Sequence, residues 1–332
     1  MHRNREKWDV VVVTWNSARH IAACIDSICR AGGRPIVVDN GSSDDTLEIV
    51  RSKSGGTATA IATGQNLGYG KAMNLGFKET TGDFVVLSNP DVVFLGNSIR
   101  YMIDYLKKNS RTGIVGIQQM FPDGRWQRSY GDLPGIWSGI KDAVGITTVH
   151  NHLRRAAWPQ KIDRRPKEVA YVDGAVLTVR RDAFLAADGF DEDFYFYAEE
   201  CDLCARLRSM GWHIRFLPEE QVIHIRGAHS VERDTSDRYV RYHVDTQYLL
   251  ARRHLPAWKA RLYAKLQAAH YKRLMWTYRC LGKAVAPPND VHRKIQLFAD
   301  YLRIWQQCAR NPNQSVNHQR LSLGAESPKA DQ

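Results

Sequence analysis

From Val10 to Gln119, short runs of β-branched residues alternate with stretches of helical periodicity, the pattern of a sheet with parallel strands. Asp9 to Trp15 reads as a first buried strand. Ile21, Cys24, Ile25 and Ile28 follow at i, i+3, i+4, i+7 spacing and form one apolar helix face, with Asn16 or Ser17 as its expected cap. Pro35 to Asp39 predicts a second strand running into the polar loop Asn40 to Asp45, and Ala58 to Thr63 a third. Gly64 to Gly76 is glycine-rich before it turns helical, so it can bring backbone N–H groups close to an anion. Asp83 to Ser88 is a fourth strand and ends in Asn89-Pro90-Asp91.

Residues 120–168, interrupted by Pro122, Pro134, Pro159 and Pro166, read as an irregular excursion facing substrate. Val169 to Val179 predicts a strand. A short helix follows Arg181, then an acidic, aromatic loop from Asp188 to Glu200, a helix to Met210 and strands near Trp212 to Ile225. Residues 235–310 carry the pattern of two or three basic amphipathic helices. The last twenty or so residues have a disordered composition. The implied organisation is an N-terminal tail (1–8), a first α/β half (9–120), a second half (121–234), a basic helical extension (235–310) and a tail (311–332).

With 332 residues, 43% of them hydrophobic, the chain can bury one large α/β core. The apolar run Val10 to Val13 is too short for a signal-peptide core, and no run of ~18 apolar residues occurs anywhere, so a cytoplasmic location with at most peripheral membrane contact is expected. Six scattered cysteines suit a reducing compartment, and Cys201 and Cys204 lack a second pair at zinc-ligand spacing. Charge changes the picture most. Residues 235–310 hold fifteen Lys or Arg against four Asp or Glu, out of a net charge of +12, which points to a polyanionic partner such as a lipid surface or a nucleic acid.

Several residues suit the transfer of a glycosyl group from a nucleotide diphosphate, which needs a base pocket, neutralisation of the departing diphosphate and a carboxylate to deprotonate the attacking hydroxyl. Asp39 can accept the N3–H of a uracil or thymine, or cap the next helix. Asp91 can ligate Mg2+ or Mn2+, with Asn89 as a neutral neighbour; the same three residues also suit a type I turn. Glu199, Glu200 and Asp202 open a helix, where the macrodipole favours acids, but three of them beside many aromatics exceed what capping needs. Glu200 becomes a general base if those aromatics desolvate it. His224 can ligate a metal or contact a diphosphate, beside an anion-suited loop containing Arg226, Gly227 and His229.

In order, the stretches VVVTWN, VVDNGSSDDT, GQNLGYGKAMNLGF, VLSNPDV, VDGAVLTVRR, FDEDFYFYAEECDLCARLRSMGW and IHIRG resemble the inverting glycosyltransferase family 2, and within it bacterial rhamnosyltransferase-like members of polysaccharide assembly. The resemblance spans roughly residues 9–230 and implies that 9–120 is the nucleotide-sugar-binding half and 121–234 the acceptor-binding and catalytic half. It implies a GT-A α/β fold, a Rossmann-like mixed sheet flanked by helices, here with a C-terminal basic helical extension. It implies nucleotide-sugar contacts at Thr14, Trp15, Asn16, Asp39, Asn40, Gly41, Asn66, Gly70, Lys71, Asn74, Asn89, Gly174 and Ala175, with Asp39 on the base and Gly174 and Ala175 at the donor sugar. It also implies a divalent cation held by Asp91, with His224 near the diphosphate, and Glu200 as catalytic base with Glu199 or Asp202 as fallback. Asn89 stands where many members have an aspartate, and Glu200 where they have the catalytic one.

The implied donor is a dTDP-, UDP- or GDP-sugar, dTDP-rhamnose first. The implied acceptor is a lipid-linked saccharide at an anionic membrane, on the inner face of the cytoplasmic membrane. Competing readings are a nucleic-acid-binding protein, which leaves the acidic motifs unexplained, a nucleotidyltransferase, which wants a basic glycine-rich loop that VVVTWNSARH is not, and a catalytically silent relative.

Overall fold

The computed structural model describes residues 8–53, 58–149, 165–195, 197–225, 237–285 and 288–311. The two tails lie outside this set apart from Trp8 and Asn311, as does the loop with Arg226, Gly227 and His229. The first half builds β1 (Trp8–Thr14), α1 (Ile21–Arg30), β2 (Gly33–Asp39), α2 (Thr46–Lys53), β3 (Thr59–Ala62), α3 (Tyr69–Lys78), β4 (Phe84–Ser88), β5 (Val92–Phe94), α4 (Ser98–Lys108) and β6 (Thr112–Met120). The second half adds β7 (Tyr130–Gly131), α5 (Ile136–Val144), β8 (Lys167–Glu168), β9 (Tyr171–Val172), β10 (Val176–Arg180), α6 (Arg181–Ala186), α7 (Glu199–Ser209) and β11 (His213–His224). Among the described residues three long helices follow: α8 (Asp237–His254), α9 (Ala257–Val285) and α10 (Pro288–Arg310).

The main sheet runs β3-β2-β1-β4-β10-β6-β11-β5, with β8 paired to β11. Strands β1 to β4 are parallel, while β10 is antiparallel to both β4 and β6, giving a mixed sheet. The middle of β1, Val10 to Val13, is apolar without alternation because both sheet faces are covered. Val11 and Val13 join Tyr69, Met73, Phe184 and Phe190 on one face, and Val10 and Val12 join Ile21, Ile25, Ile28, Ile99 and Ile103 on the other. The three C-terminal helices form a core of their own around Val244, Tyr248, Tyr263, Ile304 and Trp305.

Three sequence expectations need correction. Neither Asn16 nor Ser17 caps α1 through its side chain. The Ser17 carbonyl accepts the His20 and Ile21 N–H groups, and Asn16 takes a positive φ of 47° with its Oδ1 accepting the Ser43 N–H. Residues 120–168 are not wholly irregular. α5 forms after Pro134 and is held by distant partners: Gln267 donates to Asp142 Oδ2, and Arg273 to the Ala143 carbonyl. Nothing local to residues 136–144 announces those contacts. Finally, Val169 to Val179 is not one strand. It breaks at Asp173, whose N–H donates to the Ser129 carbonyl and whose Oδ1 accepts the Ala175 N–H, so β9 pairs with β7 in a separate two-stranded sheet.

The break has a functional consequence. Because β10 runs against its neighbours, its first residues lie at the same edge as the last residues of β1, β2, β4 and β6. β11, parallel to β6, ends there too, with His224 opposite Val92 at the start of β5. Candidate residues dispersed from position 14 to 224 are thereby brought to one edge, the position where open α/β sheets bind ligands.

Candidate active site

The first part of this edge is a polar shelf. Asp39, buried at the end of β2, accepts the Ser42 hydroxyl at 2.5 Å and the Ser42 N–H at 3.1 Å. Two hydrogen bonds leave carboxylate lone pairs unused, since an ionised Asp offers about four acceptor sites. Asn40 anchors the glycine-rich turn: its Oδ1 accepts the Leu67 N–H, and its Nδ2 donates to Asn66 Oδ1 at 2.9 Å and to the Gly68 carbonyl. Asn66 Oδ1 also accepts the Gly68 N–H. Gly41, at φ 78°, has no room for a side chain, because a Cβ would fall 2.8 Å from the Gln65 backbone. The buried Thr14 hydroxyl at the end of β1 makes no hydrogen bond, and Trp15 beside it is partly exposed.

The second part is acidic. Asp91 and His224 are both buried, with His224 Nε2 3.5 Å from Asp91 Oδ1. The Ile225 N–H donates to the Asp91 carbonyl and fixes the two segments side by side. His224 Nδ1 lies 2.9 Å from Gln119 Oε1, and Gln119 Nε2 donates to Asp173 Oδ1 at 3.2 Å. Next to Asp173, Gly174 lies against Glu200, whose carboxyl carbon would sit 3.4 Å from an added Cβ. The Gly174 carbonyl accepts the Tyr69 hydroxyl at 2.8 Å. The Asn89 N–H donates to the Ala175 carbonyl, locking the end of β4 to the start of β10.

Electrostatics follow from this crowding. Burial, with the charge of Asp173 second, pushes the Glu200 carboxyl up to about 7. Glu199, buried one residue earlier, is also raised by burial and by Glu200. Burial raises the Tyr69 phenol well above its ordinary range, with Glu199, Glu200, Asp173 and Asp91 adding to it, so it remains a neutral donor. The helix macrodipole would favour ionised acids at the start of α7, but its contribution of about 0.3–1 kcal/mol is outweighed by desolvation here. The entry to α7 is itself strained: Tyr197 and Ala198 take φ values of 71° and 68°, conformations costly for residues other than glycine.

Other candidate residues are engaged elsewhere. Asp202 faces away from Glu200 into a clamp, accepting Arg206 Nε at 2.7 Å and facing His254 Nε2 at 2.8 Å. Burial would raise its carboxyl, but the hydrogen bond from His254 and the Arg206 charge outweigh this and hold it below the ordinary carboxylate range. Asn74 brackets Phe190, donating to its carbonyl and accepting its N–H, and Gly70 packs under the same residue. Lys71 pairs with Glu192 at 2.9 Å on the surface. Sequence reasoning did not single out Tyr69, Gln119 or Asp173. The signal available for Asp173 was its place before Gly174 in VDGA; the other two carried none.

Asp91 and His224 offer a hard carboxylate oxygen and an imidazole nitrogen, a donor set that suits Mn2+ or Mg2+. Among the described residues no cluster of three or more His, Cys, Asp or Glu forms a complete metal cage. A cation on this pair would draw its remaining ligands from a bound diphosphate and water, as such ions commonly do.

A mixed α/β sheet of this order, flanked by helices and with acids gathered at its ligand-binding edge, is that of a GT-A glycosyltransferase. The chain belongs to the family described as Glycosyl transferase family 2, which it matches over residues 9–184, and it is a glycosyltransferase enzyme. It is 32% identical over 268 residues to the N-acetylglucosaminyl-diphospho-decaprenol L-rhamnosyltransferase of Mycobacterium tuberculosis H37Rv, covering 76% of this chain and 87% of that one. A shorter match, 32% over 98 residues, links it to the rhamnosyltransferase WbbL of Escherichia coli K12, covering 27% of this chain and 36% of that one. Among solved structures, the mannosyltransferase PcManGT from Pyrobaculum calidifontis in complex with GDP-Man and Mn2+ shares the fold at a TM-score of 0.57 and 17% identity, over 92% of this chain and 88% of that one. S. aureus TarS 1–349 with UDP-GlcNAc does so at 0.51 and 16%, over 93% and 92%.

The raised Glu200 carboxyl predicts a stability signature. A group whose folded pKa is raised contributes stability that is present below its unfolded value and lost as pH rises through the folded one, here from about pH 4.5 to about 7. Glu200→Gln does not titrate, so thermal melts should show the variant gaining on the wild type between pH 5 and pH 8. Parallel melting-temperature profiles would overturn the assignment.

Proposed function

We propose that the protein transfers a rhamnosyl group from dTDP-rhamnose to a hydroxyl of a lipid-linked saccharide, with inversion at the anomeric carbon, on the inner face of the cytoplasmic membrane. The observation that carries this reading is the 32% identity to a rhamnosyltransferase named for a diphospho-decaprenol acceptor, extending across most of both chains. The intact acid cluster favours an active enzyme over a silent relative.

In this reading Asp39 accepts the N3–H of the thymine, and Thr14, Trp15, Asn16, Asn40, Gly41 and Asn66 form the shelf for the nucleoside. Gly174 and Ala175 border the sugar, with no side chain at 174 to fill the space against Glu200. Asp91 and His224 hold a divalent cation, which when bound neutralises charge on the departing diphosphate. The acceptor hydroxyl attacks the anomeric carbon from the face opposite the diphosphate. Its oxygen forms the new glycosidic bond, the bond from the anomeric carbon to phosphate oxygen breaks, and Glu200 takes the hydroxyl proton. A carboxyl pushed up to about 7 suits that task near neutral pH, being both available in its basic form and strong enough to accept the proton. The other candidates are less suited: Asp202 is held in its clamp, and Glu199 lies deeper than Glu200.

The C-terminal helices support a peripheral membrane location. Among the described residues no helix is long and apolar enough to cross a membrane. Tyr263, Tyr301 and Trp305 pack into the helical core, which removes them as a stacking platform for nucleic-acid bases. Trp258 and Trp276 remain 62% and 66% exposed; with Leu262 and Ala269 they share one face of α9 by helical periodicity. α9 carries seven Lys or Arg and no acid, and Trp137, Val144, Ile146 and Val149 are exposed on and just beyond α5, which packs beside it. Exposed apolar residues flanked by cations suit the interface of an anionic bilayer.

Three measurements test the reading. A hydrolysis and transfer screen over dTDP-, UDP- and GDP-sugars, with and without Mn2+ or Mg2+, should give turnover with dTDP-rhamnose and a polyprenyl-diphosphate saccharide that a chelator abolishes; preference for another donor overturns the sugar assignment. Glu200→Gln should lower kcat by about 10²–10⁴-fold, the usual contribution of a general base, while donor binding persists. Undiminished transfer would remove Glu200 from this role. The Trp258→Ser/Trp276→Ser variant should bind phosphatidylglycerol vesicles at least about tenfold more weakly, as expected from the loss of one or two buried aromatic side chains. Vesicle binding that ignores lipid charge, salt and both substitutions counts against the membrane surface.

A further inference from the structure

The acidic pocket contains two polar side chains, Gln119 and Asp173, that the proposed chemistry does not use. Asp173, beside Glu200, accepts from the Gln119 amide nitrogen at 3.2 Å, and the Gln119 amide oxygen faces His224 Nδ1 at 2.9 Å. His224 Nε2 faces Asp91 Oδ1 at 3.5 Å, beyond hydrogen-bond range for this pair. Gln119 and His224 are buried, 1% and 5% exposed, so neither can exchange its partner for bulk water.

Each link constrains the next. Asp173 Oδ1 already acts as an acceptor, taking the Ala175 N–H, so it requires the Gln119 NH2 group rather than the amide oxygen on its side. The amide oxygen is then committed to His224, and an oxygen there requires the imidazole to carry its proton on Nδ1. A neutral imidazole protonated on Nδ1 has its lone pair on Nε2, the nitrogen aimed at Asp91. With the amide reversed, Nδ1 would have to accept, the proton would move to Nε2, and the nitrogen facing Asp91 could no longer ligate. The end of β6 is held firmly enough to keep this order: the Gln119 N–H donates to Ser129 Oγ at 2.9 Å, and Gln118 Nε2 donates to the Gln119 carbonyl at 2.6 Å and the Gln127 carbonyl at 3.1 Å. Gln127 in turn donates to the His224 carbonyl.

We propose that Gln119 is a positioning residue that fixes His224 in its Nδ1–H tautomer, and that Asp173 fixes Gln119, so that a loop carboxylate beside Glu200 sets the lone pair pointing at Asp91. The proposal rests on the reading that Asp91 and His224 hold the cation. It extends that reading by giving the histidine ligand an outer partner, the arrangement that orients metal-binding imidazoles generally. It also makes Asp173 common to both halves of the site, near the acceptor side through Glu200 and near the diphosphate side through His224.

The test uses the full chain with dTDP. Manganese binding is followed by electron paramagnetic resonance, and the tautomer of His224 by nitrogen-15 NMR on the metal-free protein at pH 8, its signals assigned by their loss in His224→Asn. The wild type is expected to carry the proton on Nδ1. Gln119→Leu, which removes the acceptor, is expected to move it to Nε2 and weaken Mn2+ binding by about 10–100-fold. The double variant Gln119→Glu/Asp173→Asn reverses the contact between the two side chains, so that an amide donor faces the new carboxylate; it retains an acceptor for Nδ1–H and should hold Mn2+ within a few-fold of wild type, which mere filling of a buried slot does not explain. Asp173→Ala frees the amide to turn and should give a mixture of tautomers; a pure Nδ1–H form in that variant removes Asp173 from the relay. A wild-type His224 protonated only on Nε2, or a folded Gln119→Leu variant with unchanged Mn2+ affinity, overturns the proposal. If Gln119→Leu does not fold, the wild-type tautomer decides. Mn2+ binding indifferent to His224→Asn brings down the metal-site reading itself, whereas sensitivity to His224 but not to Gln119 brings down only the relay.

Discussion

Asp91, Asp173, Glu199 and Glu200 gather around one buried tyrosine, Tyr69, and their mutual repulsion is the constraint that the rest of the structure must accommodate. Four carboxylates in one poorly solvated place cannot all stay ionised at ordinary pH. Burial leaves Glu199 and Glu200 holding protons more tightly than an exposed glutamate, while hydrogen bonds occupy Asp173. The Tyr69 hydroxyl, kept neutral by burial and then by the same charges, donates to the Gly174 carbonyl and ties α3 to the loop that carries Asp173. The strained backbone at Tyr197 and Ala198 adds a second cost, since it aims the first turn of α7 into the pocket. Such costs persist only where the surroundings over-determine the conformation. Here the apolar clusters on both faces of the sheet provide that support.

The reversal of one strand makes the gathering possible. Had β10 run parallel to β4, the loop before it would have emerged at the opposite edge, and Asp173 and Gly174 would lie a strand's length from Asp91. Its antiparallel pairing places Val176 opposite Ser88 and brings the two loops together, an arrangement fixed by the Asn89 to Ala175 hydrogen bond. On the other side of β10, β6 contributes Gln119 and β11 contributes His224. The pocket is therefore built across a parallel half and a mixed half of one sheet, with the proposed nucleotide contacts on the first and the proposed transfer chemistry at the junction.

Much of this was legible in the sequence because it is local. The periodicity of Ile21, Cys24, Ile25 and Ile28 gave α1, and the unbroken valines of β1 gave a strand covered on both faces. Asp39, Asp91 and Glu200 stood out because strand ends and helix starts are readable from short windows. What escaped depends on distant partners. α5 is stabilised by Gln267 and Arg273, more than a hundred residues further on. The break at Asp173 is enforced by Ser129. Gln119, an ordinary polar residue at the end of an apolar strand, acquires meaning only when Asp173 and His224 arrive on either side of it. The aromatics of residues 235–310 depend on distant partners too: Tyr263 and Trp305 lie in strongly basic helices, and packing puts them inside the helical core.

The clamp at Asp202 connects the two readings of the protein, as enzyme and as surface-bound molecule. Asp202 lies two residues from Glu200 on the same helix and is bound by His254 at the end of α8. Arg206, the other partner of Asp202, also donates to the Ala187 and Gly189 carbonyls, at the base of the loop that leads into α7. Arg253 pairs with Asp191 at 3.2 Å and with Asp193, Leu250 packs with Phe194, Ala198 and Cys201, and the Tyr195 and Tyr197 rings meet Tyr242 and His243. The helix carrying Glu200 is thus held between the sheet and the C-terminal helices, and α8 is in turn packed into the core shared with α9 and α10. A surface docked through α9 would meet a body continuous with the proposed base, so that docking fixes the height of Glu200 above the bilayer. For an acceptor whose lipid tail is confined to the membrane, that height selects which hydroxyl along the saccharide reaches the pocket. In such an arrangement the rigidity of the clamp contributes to acceptor selection, with no direct contact between Asp202 and the acceptor.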